Sequence, residues 1–280
     1  MDASEFLSQN KDKYEILMQI QDLLNHITHD SYQQTIKFVD DNKNFFFKNK
    51  YNATLFLSII NTFTIYNFKM LELILDVCIN FSKEIKDVGI KDEQIINIMR
   101  IMKCCTYYLF SKNFISIKSI IEKSVTDPVL FVYFYPEIDE YDHEYAEKVI
   151  YNIQNDSNET LSQFSDFVIK NPEIHKEYRK NHFNPTQLHK TIRNDDIDEF
   201  QSLLSKNNYS YNHNFDFSYY ERTLTECKTP SLIQIAATYG SIKIFKFLWM
   251  QNDIIYDDNL ICYAISGRNY EIIHICEEKC

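Results

Sequence analysis

Residues 231–250 read SLIQIAATYGSIKIFKFLWM. Ser231 is suited to cap a helix, because its hydroxyl accepts from backbone N–H groups of the first turn. Leu232, Ile233, Ile235, Ala236 and Ala237 then make a short, very apolar helix. The paired alanines let another backbone approach closely. Gly240, one of only three glycines in 280 residues, is placed to take the left-handed conformation that ends a helix and reverses the chain. After it Ile242, Phe245 and Leu248 repeat at three-residue steps with Lys243 and Lys246 between them, the pattern of an amphipathic second helix. The stretch is a helical hairpin with an apolar inner helix. It is too small to bury its own apolar surface and needs neighbours of the same kind.

The neighbours are legible. Residues 260–276 read LICYAISGRNYEIIHIC. An offset of 28 lays Ala264 on Ala236, Ile272 on Ile244, Ile273 on Phe245 and Ile275 on Phe247. Residues 186–204 read TQLHKTIRNDDIDEFQSLL, and an offset of 45 lays Thr186 on Ser231, Leu188 on Ile233, Ile197 on Ile242, Phe200 on Phe245 and Leu203 on Leu248. Three copies of one hairpin occupy the C-terminal third.

The copies resemble ankyrin repeats, units of about 33 residues with a Thr-Pro-Leu-His-x-Ala core. Thr186-Gln187-Leu188-His189 is similar to that signature with one substitution, and residues 231–237 carry Gln234 in the histidine place. The run from Gly240 through Leu248 is similar to the family's second helix. Asn207 and Asn252 stand where the family places a loop glycine, and asparagine tolerates that backbone. The resemblance covers about residues 185–280 and is closest to the divergent, Asn- and Ile-rich ankyrin proteins expanded in some parasitic protists. Two departures stand out. The spacings of 45 and 28 bracket the usual repeat, and the third copy has Arg268 at the turn position with Gly267 one place earlier. The resemblance implies a structural role for His189, a partner-binding function and partner contacts on the finger side of the array.

Composition bounds the function. Hydrophobic residues are 45% and charged residues 25%, as in an ordinary folded chain. The formal net charge of −11 argues against a broad nucleic-acid-binding surface, which needs clustered Lys and Arg. The longest apolar run, residues 129–135, is far short of the ~18 residues of a membrane span. The N-terminus lacks the pattern of a secretory signal. Seven cysteines without a CxxC pair read as free thiols in a reducing compartment. The expected location is therefore intracellular and cytoplasmic.

Nearly everything else reads helical. Leu17, Ile20, Leu24 and Ile27 line a first helix, and Ser31 is placed to cap the next. Residues 53–64, 67–81, 93–110, 114–123, 139–153 and 161–169 are further helices, and residues 129–135 end at Pro136. The expected fold is all-α: an N-terminal helical domain over residues 1–180, of degenerate repeats or a cap, then an elongated helical-hairpin solenoid over 185–280. Its repeats run over about 186–206, 231–252 and 259–280, with a long irregular loop at 207–229. The joint at 171–185 carries two Asn-Pro steps and a basic patch of Lys176, Arg179, Lys180 and His182.

Catalytic signatures are scarce. Three glycines cannot build a phosphate loop or a dinucleotide-binding turn. His26 and His29, like His175 and His182, read as surface histidines rather than metal ligands. The acids of residues 136–145 read as a helix start, not a calcium loop. No cofactor and no metal is expected. The positions defining the repeats are Thr186, Leu188, His189, Ser231, Ala236, Ala237, Gly240, Leu248, Ala264 and Gly267. The loop contributes Phe217, Tyr219, Tyr220 and Arg222, residue types favoured in interfaces. They are read either as a partner contact or as rings folded back on the array. The function expected is a non-catalytic scaffold that binds another protein. An enzyme with its site in residues 1–180 stays open, as does a structural self-assembling unit. A pocket of converging ionisable groups would mark the first, and capture of a partner at defined stoichiometry would argue against the second. Ile272, Ile273 and Ile275 lie on the second helix of the third copy, and part of that helix's apolar surface is expected to lack a covering neighbour, so that end is blunted by Glu277, Glu278 and Lys279, self-associates, or continues in a longer chain.

Overall fold

The computed structural model describes residues 11–99, 102–155, 157–181, 186–215, 218–220 and 229–278. Their secondary structure is helical, with no strand among the described residues beyond one isolated antiparallel bridge. In chain order the α-helices are α1 (Lys11–Asn25), α2 (Tyr32–Asp41), α3 (Lys43–Phe46), α4 (Lys50–Tyr66), α5 (Leu71–Asn80), α6 (Ser82–Asp87), α7 (Asp92–Met99), α8 (Lys103–Ser111), α9 (Ile117–Ser124) and α10 (Pro128–Tyr133). They continue with α11 (Tyr135–Tyr141), α12 (His143–Gln154), α13 (Glu159–Lys170), α14 (Pro172–Asn181), α15 (Gln187–Arg193), α16 (Ile197–Asn207), α17 (Leu232–Tyr239), α18 (Ile242–Trp249), α19 (Leu260–Gly267) and α20 (Tyr270–Glu277). Contacts divide the chain into two units, Met1–His175 and Lys176–Cys280.

In the first unit, short polar side chains start many helices. Asn49, Ser116, Asp127, Asp142 and Asn158 each accept a backbone N–H from the first turn, satisfying donors that a helix leaves open. The helices pack largely on sequence neighbours, α4 on α5, α9 on α10 and α12 on both α11 and α13. Aromatic rings fill the space between. Phe46 and Phe47 meet Phe56 at 5.3 and 5.2 Å, and Phe47 stacks on Phe81 at 5.4 Å. The apolar run at 129–135 is explained by depth, since Leu130 through Phe134 are all buried.

Several boundaries differ from the sequence reading. The single helix expected over 93–110 is interrupted at Met102, which is extended (φ −120°, ψ 103°) and precedes α8. Pro136 does not end a helix. It sits in the first turn of α11, where its missing N–H costs nothing, and the breaks fall at Phe134 before it and at Asp142 after it. Ser31 precedes α2 without capping it, its hydroxyl being engaged with Thr28 instead. His175 is not a surface residue. It is buried, its Nε2 lies 3.0 Å from the Tyr133 carbonyl, and its ring meets Tyr133 and Phe164 edge-on. Arg179 is buried as well, so the expected basic patch is not a surface cluster; Lys176 and Lys180 are exposed. His182 lies outside the described residues.

The second unit contains three helical hairpins, α15–α16, α17–α18 and α19–α20. First helices stack on first helices, α15 on α17 on α19, and second helices on second helices, α16 on α18 on α20. The offsets read from sequence hold at the backbone. The turn residues with left-handed conformation are Asp195 (φ 52°), Gly240 (φ 67°) and Arg268 (φ 57°), which are spaced by 45 and 28 residues. Gly267 is used differently. A β-carbon there would lie 1.9 Å from the Ala237 carbonyl oxygen. Close approach thus claims Gly267, and the left-handed place falls to Arg268 at a cost of about 1–2 kcal/mol. Asn207 does not take the glycine-like conformation; it ends α16, and Asn208 takes it instead (φ 53°). Asn252 has no positive φ.

Polar ties repeat at the turns. The Ser241 hydroxyl donates to the Ile192 carbonyl at 2.5 Å, and the Lys243 and Ile244 N–H groups donate to the Asp195 carboxylate at 3.0–3.1 Å. One hairpin further on, the Asn269 amide donates to the Gly240 carbonyl at 3.0 Å.

Two substitutions test this seam. Gly267→Ala should lower stability by about 3 kcal/mol, because a backbone atom must move. Arg268→Gly should raise it by about 1 kcal/mol through relief of the left-handed strain. Urea unfolding at low protein concentration reads both, and an unchanged midpoint for Gly267→Ala refutes the close approach. Ala236→Leu, at a fully buried position of α17, should cost about 1–3 kcal/mol in the same assay.

Candidate functional site

The hairpin bases carry the polar groups that sequence periodicity does not organise. The connection from α16 to α17 closes on itself, with Phe215 N–H donating to Pro230 O at 2.9 Å and Leu232 N–H to His213 O at 3.1 Å. Asn212 then clamps this connection to the next one. Its amide donates to Asp253 O, and its carbonyl accepts from Ile255 N–H, both at 2.8 Å. An asparagine side chain presents a donor and an acceptor together, so one residue fixes two segments more than 40 residues apart.

At the start of α17, Ser231 and Gln234 form a capping box. The Gln234 carbonyl accepts from Ser231 N–H at 2.8 Å, and its amide donates to Asp257 at 3.2 Å. Between these segments lies a groove of about 270 Å³ lined by Asn212, Asn214, Thr229, Ser231, Gln234, Ile255, Tyr256 and Asp257. Tyr256 stacks on Trp249 at 4.8 Å, and Trp249 on Phe245 at 5.5 Å, which anchors one wall to the core. Ile255 beside it is 72% exposed. The groove is therefore lined by amide and hydroxyl groups, one carboxylate, and the exposed apolar side chain of Ile255.

The preceding repeat places His189 at the position of Gln234. Thr186 caps α15, and its hydroxyl shares a 2.7 Å hydrogen bond with His189 Nδ1. The imidazole is buried with its centroid 3.9 Å from that of Phe215. Burial first, then the nearby Arg193 charge, push its pKa down to about 3, so it is neutral in the fold.

The sequence-derived positions separate into two groups. Leu188, Ala236, Ala237, Leu248 and Ala264 are buried, and Thr186, Ser231 and Gly240 occupy the caps and turn expected of them. Of the loop residues, Tyr220 is buried with its ring edge-on to Tyr178 at 5.3 Å, and burial raises its hydroxyl pKa. Tyr219 is half-buried. Phe217 and Arg222 lie outside the described residues. Asn212, Ile255, Tyr256 and Asp257 escaped the sequence reading; the only signal for them was the polar segment preceding each hairpin. Among the described residues no three His, Cys, Asp or Glu groups converge as a metal would require, and no helix is long and apolar enough to cross a membrane. Comparison of the chain with models of known families, with curated proteins and with solved structures found no match.

His189 makes stability pH-dependent. Its folded pKa lies below the ordinary 6.5, so the unfolded chain binds the extra proton and stability falls as pH drops below 6.5 toward 3. Between pH 7 and pH 5 this costs about 2 kcal/mol. His189→Gln, which copies Gln234, should flatten the fall in unfolding free energy over that range. An equal slope in both proteins refutes the assignment.

Proposed function

We propose that the chain is a non-catalytic, ankyrin-type scaffold that binds another protein through the base side of its hairpin stack. One observation carries this reading: three hairpins stacked first helix on first helix and second on second, with turn residues Asp195, Gly240 and Arg268 in register. Such stacks hold their bases at fixed spacing on a rigid frame. The groove supports the reading by its chemistry. The exposed amide of Asn214 suits backbone groups of an incoming chain, and Ile255 and Tyr256 offer an apolar and an aromatic anchor beside it. Tyr220 enters as packing rather than as a contact, since its ring is used within its own unit. Tyr219 sits next to it on the same loop, and Phe217 and Arg222 belong to the same proposed contact by sequence. An intracellular, cytoplasmic location fits the free thiols.

The test is a matched pair of captures. Wild type and Ile255→Asp/Tyr256→Ala, both checked for unchanged melting, are used as bait. The captured protein is then purified and its binding measured by calorimetry. The expected result is a defined stoichiometry for wild type and about tenfold or greater loss for the variant. Equal affinity for both proteins refutes the groove as the contact, and the absence of any stoichiometric partner refutes the scaffold reading.

A further inference from the structure

The isolated bridge in the connection from α16 to α17 leaves a main-chain edge on the groove. Opposed residues in an antiparallel pair either exchange their own hydrogen bonds or leave the bonding to their neighbours. Asn214 and Ser231 are of the second kind, since the bonds run from Phe215 N–H to Pro230 O and from Leu232 N–H to His213 O. The N–H and C=O of Asn214 therefore face away from Ser231, and neither is hydrogen-bonded among the described residues. Ser231 is already used: its N–H donates to Gln234, and its C=O accepts from Ile235 N–H. On the other lining segment, residues 254–257 form neither helix nor turn, and the N–H and C=O of Tyr256 are likewise unbonded among the described residues. Asn214 and Tyr256 are both exposed. Open main-chain groups of this kind are what an added strand pairs with. A helix could not use them, because its own N–H and C=O groups are spent on each other.

Charge narrows the occupant further. The groove lining contains one carboxylate, Asp257, and no Lys or Arg. One Asp257 oxygen accepts from the Gln234 amide, and the other is unbonded among the described residues. Asp253 and Asp258 lie on the same connection and are exposed, and none of the three acids forms an ion pair among the described residues. Glu271, by contrast, is paired with Lys246.

We propose that the groove takes a short extended segment of the partner protein that carries Lys or Arg. The proposal rests on the groove being the scaffold's contact surface. The segment pairs its main chain with the Asn214 edge. Its side chains alternate in direction, so one set meets Ile255 and Tyr256, and a cationic side chain reaches Asp257. Asp253 and Asp258 add to the field that draws such a segment in, and they repel an acidic one.

The experiment selects displayed random peptides of about twelve residues on the full chain, with counter-selection on Ile255→Asp/Tyr256→Ala. The enriched peptide is synthesised and its binding measured by calorimetry. Enriched sequences should be rich in Lys or Arg, and their affinity should fall as salt is added. Asp257→Asn/Asp258→Asn keeps an acceptor for the Gln234 amide, and it should weaken binding about fivefold with unchanged melting. N-methylation of the peptide, one residue at a time, should weaken binding about tenfold at alternate positions. Neutral or acidic enriched sequences overturn the proposal, as do equal affinity for the Asp→Asn variant and an N-methyl scan without a two-residue period. Enrichment of no peptide overturns it too. The scaffold reading is then judged separately by calorimetry on the captured protein, where loss of binding in Ile255→Asp/Tyr256→Ala means that a folded surface, not a chain segment, fills the groove.

Discussion

Gly267 lies so near the Ala237 carbonyl that a β-carbon on it would stand 1.9 Å from the oxygen, and the geometry of the second unit follows from that approach. Two first helices meet backbone to backbone, with Ala236, Ala237 and Ala264 filling the seam. Where backbone meets backbone at Gly267, the spacing leaves little slack. The turns absorb the consequence. The chain must still reverse after Gly267, so the left-handed conformation moves one residue on to Arg268, which bears a strain that glycine would avoid.

Each seam is then locked at its tip by one or two side chains. Ser241 and Asn269 begin second helices and reach back to carbonyls of the preceding hairpin, while Asp195 reaches forward to the N-terminus of α18. These bonds satisfy groups that a helix end exposes and that burial would otherwise penalise. At the bases the arrangement is looser and more individual. His189 with Thr186 serves one hairpin, Gln234 with Ser231 and Asp257 another, and Asn212 links the two connections. A frame that is strict at its tips and permissive at its bases has room there for a binding surface.

How far this was legible depends on the range of the interaction. Helix existence and the register of the three hairpins were written in local periodicity, and Asp195, Gly240 and Arg268 fall at the spacings that apolar alignment alone predicts. The apolar face of Ile20, Leu24 and Ile27 was equally visible. What the sequence concealed were long-range decisions. Whether Gly267 or Arg268 takes the turn is settled by the Ala237 carbonyl from another hairpin. The burial of His175 depends on Tyr133, more than 40 residues away. The groove is assembled by Asn212 from a connection with no period to read. Tyr220 looked like an interface residue because aromatic rings serve interfaces and cores alike, and only its place against Tyr178 separates the two.

The unequal spacing of the hairpins bears on the order in which the chain collapses. Bringing the second and third together closes 28 residues, whereas the first and second must close 45. The entropic cost of closure grows with the logarithm of loop length, and the difference here is about half a kcal/mol. The shorter closure also gains the tightest seam, the one between Ala237 and Gly267. Both effects act in the same direction, and of the two seams the C-terminal one costs the chain less to close.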